Sequence, residues 1–244
     1  MMNKKGFTLT EILLAVMIMG IIGVALASLT TAASRESGVG RSKVLLRNNL
    51  SIAIRQLRQD VHQSSRVMYV RGRIDSSSAG TVVPLLVLAK NADMNDAAIN
   101  SMSSPSYVTY CFVTGSTSAT PSGALSEGKI YRRESSAAPS WSSSTPSCGT
   151  PASDSNFKIF LHNVKFIPPI GSSGDAQYYP VPLFRLSAND SVYSEKDTST
   201  AEARRKDLGS VLLVKMITEL PSTPVVNEAV EEIFVLPNGF RVQN

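Results

Sequence analysis

The chain has 244 residues, a formal net charge of +5 and two cysteines, Cys111 and Cys148, so at most one intrachain disulfide is available and a disulfide-stapled mini-domain is excluded. Its cations fall into short groups, Arg71 with Arg73, Arg132 with Arg133, and Arg204 to Lys206. These read as solvated surface charge, and they lack the clustered basic face that a nucleic-acid partner needs.

One stretch near the start is far more apolar than the rest. Residues 1–6, Met-Met-Asn-Lys-Lys-Gly, are polar and basic, and from Phe7 to Ala33 the only ionisable side chain is Glu11. As a helix those residues reach roughly 40 Å, more than the roughly 30 Å hydrocarbon core requires, so the segment predicts a single membrane span that also protrudes. Lys4 and Lys5 at its start keep the N-terminus in the cytoplasm and place everything after about residue 35 outside. Behind the span about 210 residues remain, enough for one soluble domain.

Glu11 is the anomaly in this span. A carboxylate at the centre of a bilayer helix costs on the order of 3 kcal/mol, and less near an end, so it calls for a partner. A cut between Gly6 and Phe7 would create an α-ammonium at Phe7, four residues before Glu11. The partner is then the N-terminus of a neighbouring subunit, with pairing inside one chain as the competing option. An ordinary signal peptide is the other reading of the segment, because Ala25-Leu26-Ala27 is a small-x-small cleavage site. Glu11 and an apolar run from Ile12 through Leu29 speak against it, since a signal core is roughly 7 to 15 uncharged residues long.

The run Lys4-Lys5-Gly6-Phe7-Thr8-Leu9-Thr10-Glu11-Ile12-Leu13-Leu14-Ala15-Val16 resembles the N-terminal processing motif of type IV pilins and type II secretion pseudopilins. The resemblance implies a prepilin peptidase that cuts after Gly6, N-methylation of Phe7, and a Glu11 that aligns incoming subunits. It also implies other pilin or pseudopilin subunits and an inner-membrane assembly platform as partners, a filament outside the cell, and neither a cofactor nor an enzymatic activity. Loss of Lys4 and Lys5 with the leader would lower the net charge from +5 to +3. Two departures stand out: Thr10 where the family more often has an apolar residue, and Ser28 where many major pilins carry a helix-breaking Pro. Within the family, the size of the domain and the long helix with Leu57-Arg58-Gln59-Asp60 are most similar to W-type minor pilins and J-type pseudopilins.

Beyond the polar stretch from Ser34 to Gly40, helical periodicity resumes. Leu46, Leu50, Ile54, Leu57, Val61 and Met68, with Ala53 and Ser64 between, fall three or four apart, while Arg47, Asn48, Arg55, Arg58 and Gln59 occupy other faces. The pattern predicts one long N-terminal helix through residue 70, bent or frayed at Gly38 and Gly40, whose second half packs on a sheet. After Gly72, short apolar runs predict strands at Thr81–Ala89, Tyr107–Thr114, Lys129–Arg133, Phe157–Ile167, Pro182–Ser187 and Ser210–Leu220, with a last short pair around Phe234 and Phe240. Pro84 marks an edge strand or a bulge, Phe157–Ile167 has a helix as its alternative, and Thr198–Asp207 reads as a helical turn or two. Pairing should be antiparallel, because few connections hold a crossover helix.

Ser135–Asn156 is rich in Ser and Pro and predicts a long surface loop that buries little. Cys148 lies in it. In an extracytoplasmic domain a Cys111–Cys148 bond would tie this loop to the sheet and close about 36 residues, worth roughly 3 to 4 kcal/mol. No catalytic or metal constellation emerges. His62 and His162 have no partner ligands at metal spacing, and Asn91, Asp93, Asn95 and Asp96 lack the Gly and the final acid of a calcium loop. The predicted fold is α+β: a leader at 1–6, a membrane and filament-core helix at 7–33, its amphipathic continuation at 34–70, and a β-rich domain at 71–244.

Overall fold

A computed structural model describes residues 9–71, 74, 80–90, 105–115, 126–166, 181–186, 193–194, 211–220 and 225–235. Helix α1 (Leu9–Gln63) opens the described chain and is unbroken through Gly38 and Gly40, so neither glycine frays it. By their internal contacts, residues 1–45 and 46–244 form two units. In the first unit, helical side chains lie almost wholly exposed.

In the second unit the helix buries Leu46, Leu50, Ala53, Ile54, Leu57, Asp60 and Val61, the spacing of three and four that turns one stripe toward a sheet. The helix ends at Gln63, earlier than its periodicity predicts. Residues Ser64–Val70 form strand β1 instead. Ser64 and Met68 fit the helical stripe by spacing alone, but Val67, Met68, Tyr69 and Val70 are consecutive buried residues, and a strand between two apolar layers accommodates such a run. At the junction the Ser64 hydroxyl turns back to donate to the Val61 carbonyl at 2.6 Å.

The strands that follow are β2 (Val82–Lys90), β3 (Ser106–Thr114), β4 (Ser126–Ser135), β5 (Trp141–Ser142), β6 (Thr145–Pro146), β7 (Phe157–Phe166), β8 (Leu183–Leu186), β9 (Tyr193–Ser194), β10 (Val211–Leu220) and β11 (Val226–Val235). Among the described residues nine of these form one antiparallel sheet in the order β11-β10-β7-β4-β3-β2-β1-β9, with β8 also paired to β10. The fold is thus α+β, a long N-terminal apolar helix packed on a large antiparallel sheet, as predicted.

Several local features depart from the prediction. Pro84 lies in β2, inside the sheet, and a register shift between Pro84 and Leu86 in the pairing with β3 marks a bulge, so the edge alternative is ruled out. Phe234 belongs to a ten-residue strand that pairs along all of β10, while Phe240 and the segment Thr198–Asp207 lie outside the described residues. The Ser- and Pro-rich segment was expected to bury little, yet it folds into the small β5–β6 hairpin and buries Pro139, Pro146, Cys148 and Pro151. Its bond to Cys111 is formed.

The sheet separates two apolar layers. Facing Leu57 and its neighbours on α1, Val70, Leu88, Tyr110, Phe112, Ile130, Phe166 and Phe184 form the main core. Period-two alternation sends Tyr107, Cys111 and Tyr131 to the other side, and the irregularity in β1 between Val67 and Tyr69 puts the consecutive Met68 and Tyr69 there together.

Candidate assembly site

Within the first unit, α1 presents an uninterrupted apolar surface: Leu9 is 76% exposed, Met19 75% and Val24 72%. A patch of this extent on a folded chain marks a partner or a membrane. The helix is long and apolar enough to cross a bilayer by length and composition, and none of that stretch is buried. Glu11 lies on this helix, near the start of the described residues. Polar side chains further along bond within the helix. Ser28 donates to the Ala25 carbonyl at 2.8 Å, and Thr30 and Thr31 to the Ala27 carbonyl at 2.9 and 2.8 Å, so these hydroxyls can enter apolar surroundings without an outside partner. With Ser28 in place of Pro, the helix runs straight through this position in its hydrogen-bonding pattern.

Within the second unit, α1 carries a buried carboxylate. Asp60 accepts two hydrogen bonds from Arg132, from Nε at 2.7 Å and Nη2 at 2.8 Å, and one from Lys90 Nζ at 2.9 Å. The Tyr110 hydroxyl also donates to it. Glu134, at the rim, takes Arg132 Nη2 at 2.7 Å, Lys90 Nζ at 3.1 Å and the Ser106 hydroxyl at 3.3 Å. Two acids and two bases therefore neutralise one another across the helix and strands β2, β3 and β4. Burial alone would raise the Asp60 carboxyl, but hydrogen bonds from Arg132, Tyr110 and Lys90 outweigh it and hold it below its usual range. Burial and the Asp60 charge push the Tyr110 phenol well up.

The profile described as the prokaryotic N-terminal methylation motif matches residues 1–27. The chain is pilin-like. Comparison with curated proteins and with solved structures returned no match. For the pilin-like chain this motif carries the relation to prepilin-peptidase substrates of the type IV pilin and pseudopilin superfamily, and that superfamily's motif is structural in kind.

Of the residues that the motif singles out, Glu11 lies on the exposed apolar helix, whereas Gly6 and Phe7 lie outside the described residues. Cys111 and Cys148 are joined, with Cα atoms 6.1 Å apart. Asp60 escaped the sequence reading, although its position three residues after Leu57 put a carboxylate on the apolar stripe and so required a partner. Arg132 and Arg133 are not the solvated cations they were read as: their side chains are 13% and 22% exposed, the first engaging Asp60 and the second lying 4.8 Å over the Phe157 ring. His62 and His162 are exposed, and among the described residues no cluster of His, Cys, Asp or Glu is arranged to hold a metal. Asn91 to Asp96 lie outside them.

A groove of about 520 Å³ runs between the second half of α1 and β11. Ion pairs from Arg47 to Glu228, at 3.2 Å, and from Arg58 to Glu232 bridge it. These pairs are exposed on the helix side and contribute little, so the buried clasp dominates the helix-to-sheet electrostatics.

The pilin-like chain should lose stability on the acid side through this clasp. Hydrogen bonding from Arg132 leads the causes that depress the Glu134 carboxyl, and Asp60 is depressed as well. Both carboxyls are lower in the folded than in the unfolded chain, so the stability they contribute is present above the unfolded values, about pH 4, and declines as pH falls through the folded ones. Thermal melts are expected to hold steady from pH 7 to about pH 5 and to drop below about pH 4, and Asp60→Asn should flatten that acid limb.

Proposed function

We propose that the chain is a low-copy or tip subunit of a type IV pilus-like filament, made as a membrane-anchored precursor. Prepilin peptidase removes residues 1–6 by cutting between Gly6 and Phe7, and Phe7 is then N-methylated. The new ammonium of Phe7 meets Glu11 of a neighbouring subunit and fixes the axial register of the two helices. Before assembly the chain spans the inner membrane once through residues 7–33, N-terminus inside, with its β-rich domain outside and the assembly platform as its partner.

One observation carries this reading: the methylation motif over residues 1–27 coincides with an exposed apolar helix that carries Glu11. Removal of the leader puts opposite charges four residues apart on adjoining helices in a water-poor bundle, where their attraction is strong. A low-copy role is supported by the size of the domain and by a long covering loop, which would burden a repeating lattice. A pseudopilin of a type II secretion system shares each of these features, and gene neighbours separate the two: a retraction ATPase for the pilus, secretion-specific partners for the other.

The test is the N-terminal residue and intact mass of the protein from its native membrane, together with the assembly of Glu11→Ala. A mature chain starting at N-methylated Phe7, and a variant that is processed but depleted from filaments by at least about tenfold, roughly 1.4 kcal/mol of lost association, are the expected results. A chain starting at Ser28 would show a signal peptide, and normal incorporation of Glu11→Ala would remove the role given to that carboxylate.

A further inference from the structure

Residues 136–156 lie over the sheet face opposite α1. Trp141, half-buried, meets Tyr69 edge-on with ring centroids 6.4 Å apart and packs on the cluster of Met68, Tyr69, Val87, Ala89 and Tyr107. Seven residues further on, Cys148 packs with Cys111, Tyr131 and Phe157. Hydrogen bonds within the segment help to shape it, as from Ser147 N to the Ser140 carbonyl at 2.7 Å and from Asp154 N to the Thr150 carbonyl at 3.1 Å, and at its ends Ala137 N donates to the Ser135 hydroxyl and Phe157 N to the Asp154 carbonyl, both at 3.0 Å. Its ties to the sheet include the Cys111–Cys148 bond, the Trp141 contact and a loose ion pair from Asp154 to Arg133 at 4.0 Å. The ladders joining β1 to β4 and the Asp60 clasp use residues outside the segment.

We propose that residues 136–156 are a strap locked by one covalent bond, and that reducing the Cys111–Cys148 disulfide opens it and uncovers an aromatic face of the sheet. A dithiol reductant supplies two electrons and two protons: the Sγ–Sγ bond breaks, two thiols form, and the reductant closes to its own disulfide. The rest of the domain stays folded, because its main core lies between α1 and the sheet face turned toward it, away from the strap. Apart from the disulfide the strap docks through half-buried Trp141 and the buried Pro139, Pro146 and Pro151, while most of its other residues are exposed, so losing the covalent tie leaves few apolar contacts to hold it.

Trp141 is the chain's single tryptophan and reports on the strap directly. The full-length protein in detergent is followed by Trp emission and acrylamide quenching before and after dithiothreitol, with free thiols counted and amide exchange of β10 and β11 monitored; Cys148→Ser supplies the open form without reductant. The expected result is a red-shifted emission and a quenching constant raised about two- to threefold as the ring leaves its half-buried site, with β10–β11 protection retained. Unchanged Trp141 emission in Cys148→Ser or with both thiols free would show that the strap stays shut. Loss of β10–β11 protection along with the Trp141 change would show that the bond holds the whole domain, and would equally overturn the strap.

Discussion

Asp60→Ala is expected to destabilise the domain by about 3 to 5 kcal/mol, the range for removing one partner of a buried ion pair. The reason lies in what stays behind. Arg132 and Lys90 have side chains only 13% and 9% exposed, and the Tyr110 hydroxyl is buried with them, so without the carboxylate two cations and a donor lose their acceptor in a place that water barely reaches. Glu134, 43% exposed at the rim, can neutralise part of that charge but cannot follow it inward. The measurement is a denaturant titration of the full chain read through Trp141, in parallel with Asp60→Leu combined with Arg132→Met and Lys90→Met. That triple variant should recover much of the loss, since an apolar cluster of similar volume is often as stable as the buried charges it replaces. If it recovers stability yet fails to assemble, the clasp serves to set the seating of α1 on the sheet and not to hold it there. Asp60→Ala within about 1 kcal/mol of wild type would contradict the clasp as drawn.

Strong local patterns carried most of this architecture in the sequence. The apolar span and Glu11 needed no tertiary information, and β2, β3, β7, β8 and β10 begin and end within a residue or so of the apolar runs that predict them. Legibility failed where the deciding contact is remote. Ser64 and Met68 satisfy a helical period, and only pairing with β2 converts that stretch to a strand. The Ser- and Pro-rich segment has no periodicity of its own, so nothing local shows that Trp141 has Tyr69 to rest on or that its prolines are buried. The clasp gathers Asp60, Lys90, Tyr110, Arg132 and Glu134, groups up to 74 positions apart, and its one local trace is a carboxylate on an apolar stripe. In the N-terminal helix the opposite holds: the motif is written in adjacent residues, and none of the apolar stretch is buried among the described residues.

Gly128→Val should cost about 3 kcal/mol or more, the level reached when overpacking in a filled core has no room to relax. Gly128 lies in β4 between Thr114 of β3 and Val164 of β7, and a Cβ placed on it would stand 2.6 Å from the Val113 carbonyl oxygen and against the Phe112 ring. A ring edge can swing aside, but here Phe112 is fully buried and stacks on Phe166 with centroids 5.9 Å apart, and the carbonyl belongs to the sheet backbone itself. The neighbouring ladder is already irregular: pairing with β7 shifts register between Gly128 and Ile130, where Asn163 takes up the extra residue at φ 52°, a left-handed conformation that Asn tolerates better than most residues. Additional displacement of β4 would have to pass through that bulge or through the Phe112–Phe166 stack, and either route loosens the main core. Gly128→Ala tests the same geometry with a smaller group, and a loss of roughly 1 to 3 kcal/mol is expected for it in the same titration. A valine variant as stable as wild type would mean that β4 can move away from Val113, which the close approach at Gly128 does not allow.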